Sequence, residues 1–164
     1  MARVSVEVPS ELVGPLRETV LLLYQATAES LQLSLRAHAE DRGSLEEVAA
    51  HRARLAELDA LAASLGWRAG RPGRPAAAPG SRRLNGPAEL LHDAFYGALL
   101  DAGERLSTTV DRAWRGELPL ERVQEAAAEV LALHRLLRLL ELSGGALADG
   151  YREDEDEDEE EDAV

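Results

Sequence analysis

Apolar residues recur at intervals of three and four along four long stretches of this chain, and that spacing limits the fold class more than any other feature. The stretches are residues 15–42, 45–66, 87–115 and 119–142. Such intervals place the apolar side chains on one side of a helix, and that side must be buried against another element. For the third stretch the predicted buried side consists of Leu91, Phe95, Ala98, Ala102, Leu106, Val110 and Trp114.

Proline and a capping pattern mark where these helices begin. Pro15, Pro87 and Pro119 suit the first position of a helix, where the backbone N–H would have no partner. Ser44 with Glu47 three residues later matches a capping box. Short turns within each pair of helices favour antiparallel neighbours. We therefore expect an all-α fold, an antiparallel four-helix bundle built from two helical hairpins at 10–66 and 87–143.

The two hairpins resemble each other in sequence. Pro15 precedes Tyr24 by nine residues, as Pro87 precedes Tyr96. The second helices match at a constant offset of 75, which relates Leu55, Leu58, Leu61 and Leu65 to Val130, Leu133, Leu136 and Leu140. Two explanations stay open, an internal duplication and the chance alignment of two helical hairpins rich in leucine and alanine.

The first and fourth helices carry leucines outside their main apolar stripe. These are Leu21 and Leu22 in the first helix, and Leu136 and Leu139 in the fourth. A helix that is apolar on two sides lies centrally in its own bundle or packs against a second chain. We take these four leucines as candidate interaction residues and expect a protein partner, a homo-oligomer, or both.

The N-terminal residues 1–9 follow a different pattern. Val4, Val6 and Val8 alternate with polar residues, which is typical of a short strand. A single strand leaves its backbone groups unpaired and needs a partner strand, which another copy of the chain can supply. A strand and an unstructured arm are both compatible with this segment.

Residues 67–86 form a basic segment without acidic side chains. Its prolines and glycines exclude a continuous helix, so we expect a linker between the hairpins. It carries five arginines: Arg68, Arg71, Arg74, Arg82 and Arg83. Arginine binds phosphate oxygens, but after Trp67 no aromatic residue in the linker is available for base stacking. Any contact with nucleic acid is therefore expected to be weak and electrostatic.

The net charge of −13 is concentrated in the tail at 144–164. Residues 153–162 are ten consecutive acids, and the rest of the chain has 21 acids against 18 arginines. A block of like charges buries nothing and is expected to be disordered. The tail can also associate with the arginine linker and mask it from a polyanionic partner.

The residues needed for enzymatic chemistry are largely missing. The chain has no cysteine and no lysine, which excludes a thiol nucleophile, a Schiff base and a Walker-type phosphate loop. Glu89 and His92 have the Glu-x-x-His spacing of metal-binding bundles, but a second such pair is absent. They are weak metal candidates, and we expect neither a cofactor nor enzymatic activity.

The leading functional prediction is a non-enzymatic interaction or scaffold protein that self-associates. A regulator with weak polyanion contact through the linker is the first alternative, and a metal-binding bundle around Glu89 and His92 is the second. No apolar run approaches the roughly 20 residues that a membrane span needs. We therefore expect a cytoplasmic protein without a membrane partner.

Overall fold

Four helices and one short two-stranded sheet make up the fold in a computed structural model that describes residues 3–67 and 81–144. The helices are α1 (Val13–Ala39), α2 (Leu45–Ser64), α3 (Ala88–Trp114) and α4 (Leu120–Gly144). The strands are β1 (Arg3–Val8) and β2 (Arg82–Pro87), and a 3-10 turn (Ser10–Leu12) joins β1 to α1. Helix α1 packs on α2 and α3 packs on α4, so the predicted helical bundle is confirmed.

The predicted helix starts are close to the observed ones. The Ser44 hydroxyl accepts a hydrogen bond from the Glu47 backbone N–H at 3.1 Å and caps α2. Pro87 is the N-cap residue of α3, and Pro119 directly precedes α4. Gly116 has a φ of +76°, the left-handed conformation that ends a helix, directly after the last turn of α3.

The N-terminal segment is a strand, and its partner strand comes from the same chain. β1 pairs antiparallel with β2, and the register sets Val4 opposite Gly86 and Val6 opposite Leu84. The predicted linker is therefore wrong for residues 82–86, which belong to β2. Their alternation of exposed and buried side chains is a strand pattern, which the prolines and glycines before them obscured. The rest of the linker from residue 68 to 80, and the tail from residue 145, lie outside the described residues.

The core lies at the end of the bundle that carries the sheet, which we call the sheet end. The inward valines of β1 and Leu84 of β2 belong there to one hydrophobic core, to which all four helices contribute. The largest fully buried side chains of the helices and their caps are Leu16, Leu58, Leu61, Leu65, Leu91, Phe95, Leu133 and Leu140. The opposite end, the distal end, holds the two helical turns. Between residues 28 and 57 and between 103 and 132, only Val48 is buried.

The two halves of the fold repeat the same order of strand, helix and helix. Helices α1 and α3 have 27 residues each, and α3 begins 75 residues after α1, at Ala88 against Val13. Helix α4 begins at the same offset from α2, at Leu120 against Leu45. The offset also relates buried residues, such as Leu16 to Leu91 and Leu58 to Leu133. The shared offset of the helix starts and of these buried positions favours duplication over chance alignment, whereas the strands start 79 residues apart and α4 is longer than α2.

Candidate functional site

A series of exposed, mainly apolar residues runs along α3. Tyr96, Leu100, Gly103, Ser107, Val110 and Trp114 follow one another at alternating intervals of four and three residues, which places them on one side of the helix. We call this set the α3 stripe. Its large side chains are 49% (Tyr96), 54% (Leu100), 43% (Val110) and 91% (Trp114) exposed.

Contacts with the neighbouring helices place the α3 stripe on the open side of α3. Gly97, on a different side of the helix, faces Thr19 of α1. Arg105, also off the stripe, donates a hydrogen bond of 2.7 Å to Glu129 of α4. At 100° per residue, both positions point well away from the centre of the stripe. The stripe therefore faces solvent, and Gly103 within it has open space where a side chain would be.

The sequence pattern had placed Val110 and Trp114 in the core, and this prediction is wrong. It followed α3 from Ala102 through Leu106 to Val110 and Trp114 by repeated steps of four. Each such step turns the position about 40° around the helix. The series therefore leaves the buried side after Ala102, and Trp114 ends up almost fully exposed. The repeated intervals of four from Ala102 to Trp114 were the signal in the sequence that these residues turn away from the buried side and towards solvent.

The four candidate leucines have different environments. Leu22 and Leu139 are exposed, as a role in binding requires. Leu21 is half-buried. Leu136 is only 7% exposed and belongs to the core, so it is not available to another chain. The second apolar side of α4 at this position is covered by the bundle itself.

Two of the five candidate arginines lie in the sheet. Arg82 donates a hydrogen bond to the Ser64 backbone carbonyl at 3.4 Å. Arg83 donates to the Ser5 hydroxyl at 2.8 Å and lies opposite Glu7 in the strand register. Arg68, Arg71 and Arg74 lie outside the described residues. The structure thus places two basic residues at the sheet end.

Glu89 and His92 do not come together with other metal ligands. Glu89 is exposed, and the His92 ring stacks on Tyr96 with 6.0 Å between ring centroids and an angle of 7°. Within residues 3–67 and 81–144 no group of three or more histidine, aspartate or glutamate side chains is arranged to hold a metal ion. Glu89 and His92 therefore lie on the helix surface, and the described part of the chain supplies no further ligands beside them to complete a metal site.

A cleft of about 600 Å³ lies between α2, β1 and the start of α3. Its apolar part comes from Ala50, Ala53, Pro87 and Leu90, and its polar part from Arg3, His51, Arg54, Glu57 and Glu89. Arg3 pairs with Glu57 and Arg54 pairs with Asp93, each at 2.7 Å. The cleft is adjacent to the N-terminal end of the α3 stripe, because Asp93 lies one turn before Tyr96.

Arg105 of α3 forms two ion pairs, one of which connects α3 to α4. Arg105 bonds to both Asp101 of its own helix and Glu129 of α4. Burial alone would lower the pKa of Arg105, but the hydrogen bonds and charges of Glu129 and Asp101 outweigh burial and raise that pKa. Arg105 therefore stays charged at every physiological pH and links α3 to α4.

Comparison with protein-family models, with curated proteins and with solved structures finds no match to this chain. No helix within the described part of the chain is long and apolar enough to cross a membrane. Any functional assignment therefore depends on the surfaces of the molecule itself.

Proposed function

We propose that this chain is a non-enzymatic interaction protein that binds another protein helix through the α3 stripe. The observation that carries the proposal is the stripe itself. Four large apolar side chains, with Gly103 and Ser107 between them, follow alternating intervals of four and three over five turns, which is the spacing that a helix presents to another helix in a coiled coil. An apolar surface of this length on a monomer typically marks an interaction site.

The internal repeat gives this proposal a built-in comparison. At the offset of 75, the α3 stripe corresponds on α1 to Leu21, Gln25, Ala28, Gln32, Leu35 and Ala39. Glutamine therefore stands on α1 where α3 has Leu100, and alanine stands where α3 has Trp114. The fold does not need apolar or aromatic side chains at these positions. Their presence on α3 alone supports a function specific to that helix.

Site-specific photo-cross-linking in the source cells tests this proposal. A benzoylphenylalanine residue replaces Val110 in the stripe, and a matched control replaces Thr108, an exposed residue off the stripe. We expect defined protein adducts from position 110 and markedly fewer from position 108. Equal labelling, or no adduct from position 110, would contradict an interaction through this surface.

A second candidate function is weak binding of a polyanion at the sheet end. Arg82 and Arg83 lie there, and α2 and α4 both end there, so the segments that continue into the linker arginines and the acidic tail start close together. In this hypothesis the acids at 153–162 mask the arginines. Deletion of residues 153–164 should then create nucleic-acid binding that falls steeply with salt. Unchanged, negligible binding in a filter assay would remove this candidate.

A further inference from the structure

We infer that the α3 stripe binds a second copy of this chain, with the two α3 helices antiparallel. This inference rests on the proposed function and names the partner. The alternatives, an unrelated protein helix or no partner at all, are separate outcomes of the test below.

The order of side chains in the stripe is self-complementary. In an antiparallel pair centred on position 105, Tyr96 lies opposite Trp114 of the second copy and Leu100 opposite its Val110. The two small residues, Gly103 and Ser107, lie opposite each other at the centre. Every stripe residue thus meets another stripe residue of matching size class, which is what an isologous twofold interface requires.

Gly103 supports the close approach of another helix. A glycine in the middle of a helix costs about 1 kcal/mol relative to alanine. Gly97 has an internal reason, because an added Cβ would lie 2.8 Å from Thr19 Cγ2. A Cβ on Gly103 would meet nothing within 4 Å. The space beside Gly103 therefore serves no contact within the chain, and it lies at the centre of the proposed pair.

The same register brings the distal turn of the second copy to the cleft. Glu117 of the second copy lies opposite Asp93, which is paired with Arg54. Arg3, His51 and Arg54 line the cleft together with Glu57 and Glu89, and Arg3 is already paired with Glu57. The turn from residue 117 to 121 carries two glutamates and two leucines. Acidic side chains of the two copies thus lie close to each other at both ends of the pair. At its centre, Glu104 lies beside its own copy, so added salt is expected to strengthen the association.

The available area is sufficient for a weak dimer. The exposed fractions of Tyr96, Leu100, Val110 and Trp114 correspond to roughly 500 Å² per chain, since an aromatic side chain can bury about 150–250 Å². Two copies would bury about 1,000 Å², close to the lower limit for specific interfaces. We therefore expect a dissociation constant in the micromolar range.

Sedimentation velocity of the full chain, from about 1 to 300 µM, tests the inference. One variant, L100Q/W114A, carries the residues that α1 has at the equivalent positions. The control, L33Q/L131Q, removes two exposed leucines that belong neither to the stripe nor to the other candidate interaction residues. We expect the stripe variant to weaken dimerisation at least tenfold and the control to change it less than twofold. G103A should weaken dimerisation while raising the melting temperature of the dilute protein, a combination that a purely structural role of Gly103 does not produce.

Each remaining outcome decides the question. A wild-type chain that stays monomeric at the highest concentration overturns self-pairing, as does a dimer that the stripe variant leaves intact. If the purified chain is monomeric but Val110 cross-links to a different protein in cells, the interaction function stands and only the identity of the partner is wrong. If neither association nor cross-linking is found, both proposals fail.

Discussion

Replacement of Gly97 by alanine should destabilise the fold at the crossing of α1 and α3, although alanine is the better helix former. The added Cβ would lie 2.8 Å from Thr19 Cγ2, closer than such carbons approach in proteins. Thr19 is buried, and its hydroxyl donates a hydrogen bond of 3.2 Å to the Pro15 carbonyl. The threonine can move its methyl group away only if it breaks that bond or shifts the helix.

The magnitude follows from two opposing effects. Overpacking of this kind costs about 1–3 kcal/mol. The removal of a helical glycine returns about 1 kcal/mol. We therefore expect G97A to lose about 1 kcal/mol of folding free energy, which lowers the melting temperature by about 2–4 °C in a domain of this size.

Thermal and urea unfolding of dilute protein, followed by circular dichroism, measure this effect. G103A is the matched control, because its Cβ meets nothing within 4 Å and only the helix gain of roughly 0.5–1 kcal/mol remains. The difference between the two variants isolates the clash. T19S removes the methyl group and keeps the hydroxyl, so G97A in the T19S background should be stabilising. If G97A is as stable as G103A, the close packing of α1 on α3 is refuted.

Three further predictions concern single positions. L133A should lower the free energy of unfolding by about 2–5 kcal/mol, since Leu133 is fully buried. L131A, on the exposed side of the same helix, should lower it by less than about 0.5 kcal/mol, and urea denaturation of the two variants measures the difference. S44A should lower the free energy of unfolding by about 1 kcal/mol, because it removes the hydrogen bond that caps α2, whereas the S44D carboxylate should keep most of that stability. Similar losses for both variants in urea denaturation would argue against capping. E129Q should lower the free energy of unfolding by less than about 1 kcal/mol, because the ion pair of Glu129 with Arg105 is partly exposed. A larger loss in urea denaturation would show that this pair stabilises the fold more than a surface ion pair does.

Regular local patterns were sufficient to predict the helices. Ser44 with Glu47, and the prolines before α3 and α4, mark helix starts through local backbone chemistry, so they can be read without the fold. The strand partner could not be found in this way. The pairing of Val6 with Leu84 spans 78 residues, and the sequence between them resembles a linker.

The candidate site was predicted less well, because the sequence does not show how far the core extends along each helix. Apolar periodicity shows that a helix has a buried side, but it does not show where burial stops. Core packing ends near Ala102 because the hairpins meet at the sheet end, and only the assembled fold contains that information. Val110 and Trp114 were wrongly assigned to the core, and helix spacing alone could not decide whether Leu136 packs within the bundle or against a second chain.

Cysteine cross-linking is the most direct measurement of the central claim, the antiparallel pairing of α3 stripes. The chain has no cysteine, so L100C and V110C introduce unique thiols. In the proposed register, residue 100 of one copy faces residue 110 of the other, within the 4.4–6.8 Å between Cα atoms that a disulfide spans. Two copies of residue 100 are about 15 Å apart along the helix axis.

We predict that differently tagged L100C and V110C chains, mixed under oxidising conditions, form a mixed disulfide dimer in preference to either homodimer. The mixed disulfide should disappear when W114A is added to both chains. Preferential L100C homodimers would indicate a parallel pair, and the absence of a preferred disulfide would show that the stripes do not pair in this way. Either result would contradict the account.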